Sequence, residues 1–545
     1  MNKLLSTLII ILVFVTQSFA IGQEWASRYN GSGNSSDWSY AIAIDPIGNI
    51  VVTGYSTSTG TSKDYKTIKY NTEGTILWES FFNGPVNGGD YSNALAIDAS
   101  GNIYVTGRVD YGTAGADIVT IKYNSSGSQQ WMARYSGAGN GFDEGKTIHL
   151  LNDGGVIVGG KTTGITSGFD FVTIKYNADG TLGWSSVYNG TGNNEDYIVS
   201  ADIDNSNNVY VTGCSIGAGS GGDLVVIKYD ITGAQQWLKR YNGAGNGGDA
   251  AVGLKVDAAN NIIVGGSTDM GAGQKFNFIT LKYNTEGTLI WEKQYNGTSS
   301  DMDLATAMSV DVANNIYLTG LTTQLYGTRL DSNYGTIKYD PAGNQQWIKF
   351  YDGPNNSVDI ARSIFVDNNS NVYICGSSKG AGSDDYATIK YSPTGSQLWV
   401  MSYNGTGNLN DYSSSIVADN LGNAYVTGRS YGSGTDYDYA TIKYGDLVGI
   451  EPVINEVPDR FSLEQNYPNP FNPNTRIRFS IPEQQNVYLK IFDALGREIR
   501  SENLGNLNAA SYEYDLNASK FTSGIYFYRI ITEKFTDTRK MILVK

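Results

Sequence analysis

"DYKTIKYNTEGTILW" spans residues 64–78, and versions of it return along the chain. They read "DIVTIKYNSSGSQQW" (117–131), "DFVTIKYNADGTLGW" (170–184), "DLVVIKYDITGAQQW" (223–237), "NFITLKYNTEGTLIW" (277–291), "NYGTIKYDPAGNQQW" (333–347) and "DYATIKYSPTGSQLW" (385–399). An eighth copy, "DYATIKYGD", begins at Asp438 and stops before its Trp. The repeat Trp residues stand at 25, 78, 131, 184, 237, 291, 347 and 399. Their spacings are 53, 53, 53, 53, 54, 56 and 52, a period that marks a repeat architecture. Each unit holds four strand-like runs, which in the first are "EWASRYNG", "YAIAID", "NIVVTG" and "YKTIKYN". Apolar residues alternate with mixed ones in the second run (Ile42 and Ile44 around Ala43, Leu95 and Ile97 around Ala96), as a half-exposed strand requires.

Four-stranded units of this period fit the blades of a β-propeller, an all-β fold. The broken copy then has a purpose. The eighth unit carries three strands, while the chain offers an unpartnered Trp strand around Trp25. Docking that strand beside "DYATIKYG" completes the last blade and removes an exposed sheet edge. The expectation is an eight-bladed β-propeller over residues 21–446, closed by the N-terminal strand, with seven blades as the alternative.

Composition agrees with many short strands: the 545 residues include 66 Gly and 39 Tyr but only 11 Pro. The formal net charge of −15 argues against nucleic acid, which needs a basic stripe. "MNKLLSTLIIILVFVTQSFA" (1–20) reads as a secretory signal peptide cleaved after Ala20, because its apolar run is shorter than the roughly 20 residues of a membrane span. No later stretch is apolar enough to cross a bilayer, so the mature chain is expected to be exported, without a transmembrane segment and as a monomer. Cys214 and Cys375 lie three units apart and read as buried apolar residues rather than a disulfide.

Strand direction sorts the loops. With the Trp strand outermost, turns such as "DPIGN" and "NTEG" share one face, and the Gly/Ser-rich connections "NGSGNSSDWS" and "YSTSTGTSKD" share the other. Every insertion falls on that second face, the longest being "LTTQLYGTRLDSNYG" in the sixth unit. Variable loops on a rigid scaffold are where binding residues sit, so this face is the expected binding surface.

One Asp follows each Trp by twelve residues: Asp37, Asp90, Asp143, Asp196, Asp249, Asp303, Asp359 and Asp411. In the propeller these would ring the mouth of the channel. Eight carboxylates spread around a ring cannot converge on one ion, so a structural role as acceptors of backbone N–H bonds is favoured over a cation site. The "DPIGN" turns lack the spacing of a calcium loop. Lys69, Lys122, Lys175, Lys228, Lys282, Lys338, Lys390 and Lys443 form the column of the "IKY" strands, each expected to pair with a nearby Asp. No nucleophile elbow, phosphate loop or His/Cys metal cluster is present, and His149 is the only histidine. Catalytic residues, metals and cofactors are therefore not expected, although paired carboxylates for work on polysaccharides stay open.

The repeat resembles the bacterial β-propeller repeats of the SBBP type. Residues 461–545 resemble the C-terminal sorting domain of the type IX secretion system, through "SLEQNYPNPFNPNTRIRFSIP" (462–482), "VYLKIFDALGREI" (487–499), "TSGIYFYRI" (522–530) and "KMILVK" (540–545). This resemblance implies a small β-sandwich after a linker at 447–460, passage across the outer membrane, and removal of the domain by a sorting peptidase. It also implies that Lys540, Met541, Ile542, Leu543, Val544 and Lys545 form the part recognised by the translocon. The expected product is a secreted or cell-surface binding protein for an extracellular glycan or protein. The alternatives are a polysaccharide-active enzyme and a passive surface component.

Overall fold

A computed structural model describes residues 21–271, 275–299, 301–326, 329–380, 382–446, 450–454, 458–507, 509–518 and 521–545. The expected signal peptide, with Ala20, and residues 447–449 and 455–457 of the expected linker lie outside them. Among the described residues there are ten four-stranded sheets and one short 3-10 turn, Gly112–Ala114. The first unit comprises Trp38–Ile44, Ile50–Thr57, Lys63–Tyr70 and Ile76–Phe82, paired antiparallel in chain order from the inner to the outer strand. Six more units repeat this pattern, ending with Gln397–Tyr403. The two middle strands are buried on both faces, and their Val, Ile and Tyr side chains build cores shared by successive sheets. The result is a propeller-like array.

The eighth sheet is assembled from both ends of this array, in the order Ile21–Tyr29, Tyr437–Asp446, Ala424–Tyr431, Asp411–Ala418. Arg28 fixes the incoming strand: it pairs with Asp438 at 2.8 Å and donates to the Ser430 carbonyl at 2.9 Å and the Tyr403 hydroxyl at 3.2 Å. The same cross-strand pair occurs within continuous units as Arg240–Asp223 and Arg134–Asp117. Trp25 behaves like the other outer-strand tryptophans. Its Nε1 donates to the Thr72 carbonyl in the next unit's turn at 2.9 Å, as Trp78 does to Ser125 and Trp131 to Ala178 at 3.1 Å. Gly74 in that turn has φ +78°, and a Cβ there would lie 2.6 Å from the Trp25 ring, which explains the Gly of "NTEG". The eighth sheet also meets the first: Asp37 N donates to the Tyr437 carbonyl at 2.6 Å, and the Tyr439 hydroxyl to the Lys66 carbonyl at 3.2 Å.

The long sixth-unit segment differs from expectation. It is a hairpin, not an irregular loop: Ile316–Tyr326 and Arg329–Tyr339 continue their ladder out to Leu325 opposite Leu330. Leu321, Thr322 and Thr323, residues that suit strands, let the backbone keep pairing beyond the neighbouring units' strand ends.

The lysine column also departs from a single rule. Lys69, Lys175 and Lys282 ion-pair with Asp45, Asp153 and Asp257 at 2.7, 2.7 and 2.9 Å. In these units the second residue of the second strand is aliphatic: Val51, Ile157 or Ile263. Elsewhere it is tyrosine (Tyr104, Tyr210, Tyr317, Tyr373, Tyr425), whose hydroxyl donates to the turn Asp at 2.9–3.1 Å. The lysine then lies over that ring, 4.8–5.7 Å from its centroid. A tyrosine has taken the lysine's place at the carboxylate. Burial works against the Asp45 carboxylate, but Lys69, Asn49 and backbone N–H groups outweigh it and hold its pKa below the usual range.

The C-terminal region has two four-stranded sheets around one core that includes Ile477, Phe479, Leu489, Ile491, Tyr528 and Met541.

Two stability measurements follow from these contacts. Trp25→Ala should lower unfolding stability by about 3 kcal/mol, and deletion of residues 21–29 should lower the melting temperature far more. An unchanged melt after the deletion would show the clasp to be idle. Lys69→Met, which strands a buried carboxylate, should cost about 3–5 kcal/mol. Lys122→Met should cost about 1 kcal/mol, since Tyr104 already serves Asp98. Equal losses would refute the exchange of tyrosine for lysine.

Candidate functional site

The Asp column lies beside the innermost strands, but its carboxylates do not open onto a channel. All eight side chains are 0–1% exposed. In every unit one oxygen accepts the N–H of the Gly six residues earlier, at 2.5–2.6 Å. The other accepts the N–H of the residue twenty positions later, at 2.8–3.3 Å. Loop donors at both ends hold each carboxylate, so the column is a set of buried buckles. Among the described residues no group of three or more His, Cys, Asp or Glu is placed to hold a metal. Cys214 and Cys375 are buried free thiols.

Just past each buckle the inner strand slips register. The ladder skips one residue per unit: Tyr40, Asn93, Lys146, Val199, Val252, Thr306, Arg362 and Ser414. Such a bulge re-aims a side chain away from the ladder. It also explains the Gly of "VTG", since a Cβ on Gly54 would sit 1.9 Å from the Trp38 carbonyl oxygen. Along this bulged column the units differ in chemistry.

Those differences gather at one place. A cavity of about 720 Å³ is lined by Trp38, Tyr40, Tyr91, Asn93, Arg108, Glu144, Lys146, Arg362, Tyr412, Ser413, Ser414 and Arg429, from units seven, eight, one, two and three. The bulged residues of units four to six are Val199, Val252 and Thr306, so the cup is chemically one-sided. It lies where the inner strands begin, on the face of the long connections. The Arg429 guanidinium stacks on Trp38, Tyr412 and Tyr437, at 3.8, 4.8 and 4.6 Å from their centroids. Arg108 lies over Tyr91 and Phe142 at 4.2 and 4.6 Å. Glu144 is the one carboxylate of the described lining; it pairs with Lys146 at 3.0 Å and accepts from Asn93 Nδ2 at 3.0 Å. Trp38, Tyr40, Tyr55 and Tyr91 form a continuous aromatic arc with centroid separations of 4.9, 5.9 and 5.0 Å. Burial pushes the Tyr40 hydroxyl pKa well above its ordinary value.

Sequence reasoning missed the cup. The signal was present in two columns after each Asp: the first reads Ile360, Tyr412, Trp38, Tyr91 and Glu144 in the cup units, the second Arg362, Ser414, Tyr40, Asn93 and Lys146.

The expected translocon-recognition residues end the strand Thr536–Leu543. Met541 and Leu543 are buried, whereas Lys540, Val544 and Lys545 are exposed. The "NYPNPFNP" motif clamps this strand. Ile542 N donates to Asn469 Oδ1 at 2.9 Å, Phe471 N to the Ile542 carbonyl at 3.0 Å, and Val544 N to the Phe471 carbonyl at 3.0 Å.

The buckles have a pH signature. Burial raises the carboxyls of Asp37, Asp90 and Asp303 to about 6, against the opposing pull of their backbone donors. A carboxyl raised on folding contributes stability that is full below its unfolded value near 4 and is lost as pH rises through about 6. Below about pH 4 the depressed turn carboxylates such as Asp45 and Asp257 are lost in turn. Thermal unfolding should therefore show highest stability between about pH 4 and 6, and Asp303→Asn should flatten part of the fall toward pH 8. A melting temperature that climbs steadily from pH 5 to 8 would contradict these raised carboxyls.

Residues 465–545 match the family model described as the secretion system C-terminal sorting domain, and residues 346–382 match the beta-propeller repeat. No curated protein matches the chain in sequence. Solved structures resemble it distantly. PorZ, a surface component of the type IX secretion system of Porphyromonas gingivalis, has 14% identity and a TM-score of 0.40 over 91% of this chain and 68% of its own. The polysaccharide lyase Uly1 has 11% identity and a TM-score of 0.40 over 69% and 94%. A PL25 ulvan lyase has 11% identity and a TM-score of 0.36 over 78% and 95%. Likeness at that level carries no functional argument. The two matched segments do: residues 346–382 carry a beta-propeller repeat, and residues 465–545 carry the C-terminal sorting domain of type IX secretion, which marks proteins exported to the cell surface or beyond.

Proposed function

We propose that this protein is an exported, non-catalytic binding module. Its eight units form an eight-bladed propeller closed by the N-terminal strand, its C-terminal β-sandwich serves export, and its ligand site is the axial cup. The observation that carries the reading is the clustering of the repeat's chemical exceptions in one cavity. A purely architectural ring has no reason to place Trp38, Tyr40, Lys146, Arg362 and Arg429 around one hollow while leaving Val199 and Val252 at the matching positions. A cavity of about 720 Å³ is within the ~300–1,000 Å³ usual for ligand sites.

Binding without turnover is favoured over catalysis by the same lining. Glycosidases need two carboxylates, and the described lining offers Glu144 alone, held by Lys146 and Asn93. A lyase needs a ready base, and burial moves the Tyr40 and Tyr412 hydroxyls away from that role.

The test is binding of the whole mature protein to an array of glycans and cell-surface polysaccharides, beside a Lys146→Glu, Arg362→Glu variant. Both side chains are exposed, so folding should survive. Selective binding by the native protein, lost in the variant and producing no new reducing ends or unsaturated products, is expected. Product release would move the protein to the enzymes, and equal binding by the variant would remove the cup from function.

A further inference from the structure

Resting on that reading, we infer that the cup takes an anionic sugar unit, one bearing a carboxylate or sulfate, from an extracellular polysaccharide. The chain carries a formal net charge of −15, yet four cations (Arg108, Lys146, Arg362, Arg429) and one carboxylate line this cavity. Lys63 and Lys161 stand just behind them, 4.7 Å over the Tyr55 ring and 4.1 Å over the Phe169 ring. So local a reversal of sign requires a local cause. An anion in the cup supplies one.

The arginines are also built for planar anions. Arg429 is enclosed by three rings, and its Nε is buried without a hydrogen-bond partner. A stacked guanidinium has already lost its rotamer freedom, so its remaining N–H edge meets a carboxylate or sulfate at little further cost. Glu144 occupies Lys146 and lies 3.9 Å from Arg108, which leaves Arg429 and Arg362 as the cations of the lining without a carboxylate partner there.

The sugar half of the inference comes from the aromatic arc. Trp38, Tyr40 and Tyr91 offer half-buried ring faces beside the cations, with the Ser414 and Asn93 side chains as nearby polar groups. A pyranose ring has an apolar C–H face and a hydroxylated edge, so it uses both surfaces at once. A small inorganic anion would leave the rings uncovered. An acidic peptide remains the competing occupant, and it is separable because it needs no aromatic platform.

The experiment uses the whole mature protein and four probes by isothermal calorimetry: polygalacturonate, dextran sulfate, neutral dextran and poly-glutamate. Polygalacturonate or dextran sulfate should bind, neutral dextran and poly-glutamate at least tenfold more weakly, and added salt should weaken binding as for a charge-based site. Which of the first two binds identifies carboxylate or sulfate as the charge recognised. Arg362→Ala should weaken binding at least tenfold, as should Trp38→Ala, whereas Trp38→Phe and Tyr40→Phe, which keep a ring face, should weaken it much less. Arg362 is exposed, so its variant tests the cup even if Arg429→Ala fails to fold. Neutral dextran binding as tightly, lost in Arg362→Glu, would overturn the anionic class while leaving the cup a binding site. Poly-glutamate binding as tightly and unaffected by Trp38→Ala would assign the cup to an acidic protein. Binding indifferent to every cup substitution would overturn both the inference and the reading it rests on.

Discussion

One buried carboxylate per unit organises this molecule. By accepting N–H groups from the loop before the inner strand and from the end of the second strand, each Asp fixes where its inner strand begins. Its own N–H also reaches the third strand of the preceding unit, as Asp90 does to Lys63 and Asp143 to Ala116. Asp37 makes that bond to Tyr437 of the eighth unit, so the same device that links neighbours also links the two ends of the array. The carboxylate's burial is costly, and the donors arranged around it make the cost bearable. Because the start of the strand is fixed, the bulge three residues on is fixed too, and with it the one side chain per unit released from the ladder. A rigid, repeated constraint thus creates a set of positions where substitution is nearly free. The cup grew there.

What was legible in the sequence follows from what repeats. Spacing of the Trp strands and the missing half of the eighth copy were enough to anticipate four-stranded units and a borrowed strand, because both depend on periodic hydrogen bonding and burial. The cup was not legible for the converse reason. Tyr40, Asn93, Lys146, Arg362 and Ser414 share a place in the fold but no chemistry, and a search for recurring residues passes over a column whose meaning is its variation. The sixth-unit hairpin was missed for a third reason: a segment that pairs only with itself lengthens the spacing in the same way as an irregular loop.

The lysine column shows that a single chain can carry its own comparative evidence. Wherever the second strand supplies a tyrosine, that hydroxyl takes the turn Asp and the lysine moves over the ring; wherever it supplies Val or Ile, the lysine ion-pairs directly. Two positions therefore vary together across units, as contacting residues do across related proteins. Either arrangement satisfies a buried carboxylate, so drift between them leaves the fold intact. Exchange of this kind marks a structural site. The bulged positions follow no such pairwise exchange: Asn93 and Lys146 meet Glu144, Ser414 meets Trp38, and Val199 and Val252 are aliphatic.

An acidic protein with a cationic cup is not a contradiction. At physiological ionic strength charges separated by more than about 8 Å are largely screened. Much of the negative charge lies in solvent-facing turns such as Asp230 and Asp340, while Arg429 and Arg108 lie in a half-buried, aromatic-walled hollow where screening is weak. Net charge therefore governs solubility and long-range approach, and the few groups at contact distance govern what binds. A net charge of −15 argues against an extended duplex, which needs a basic stripe longer than the cup. That argument does not extend to a single charged sugar ring, whose carboxylate or sulfate would meet the cup's few cations and almost none of the surrounding acidic surface.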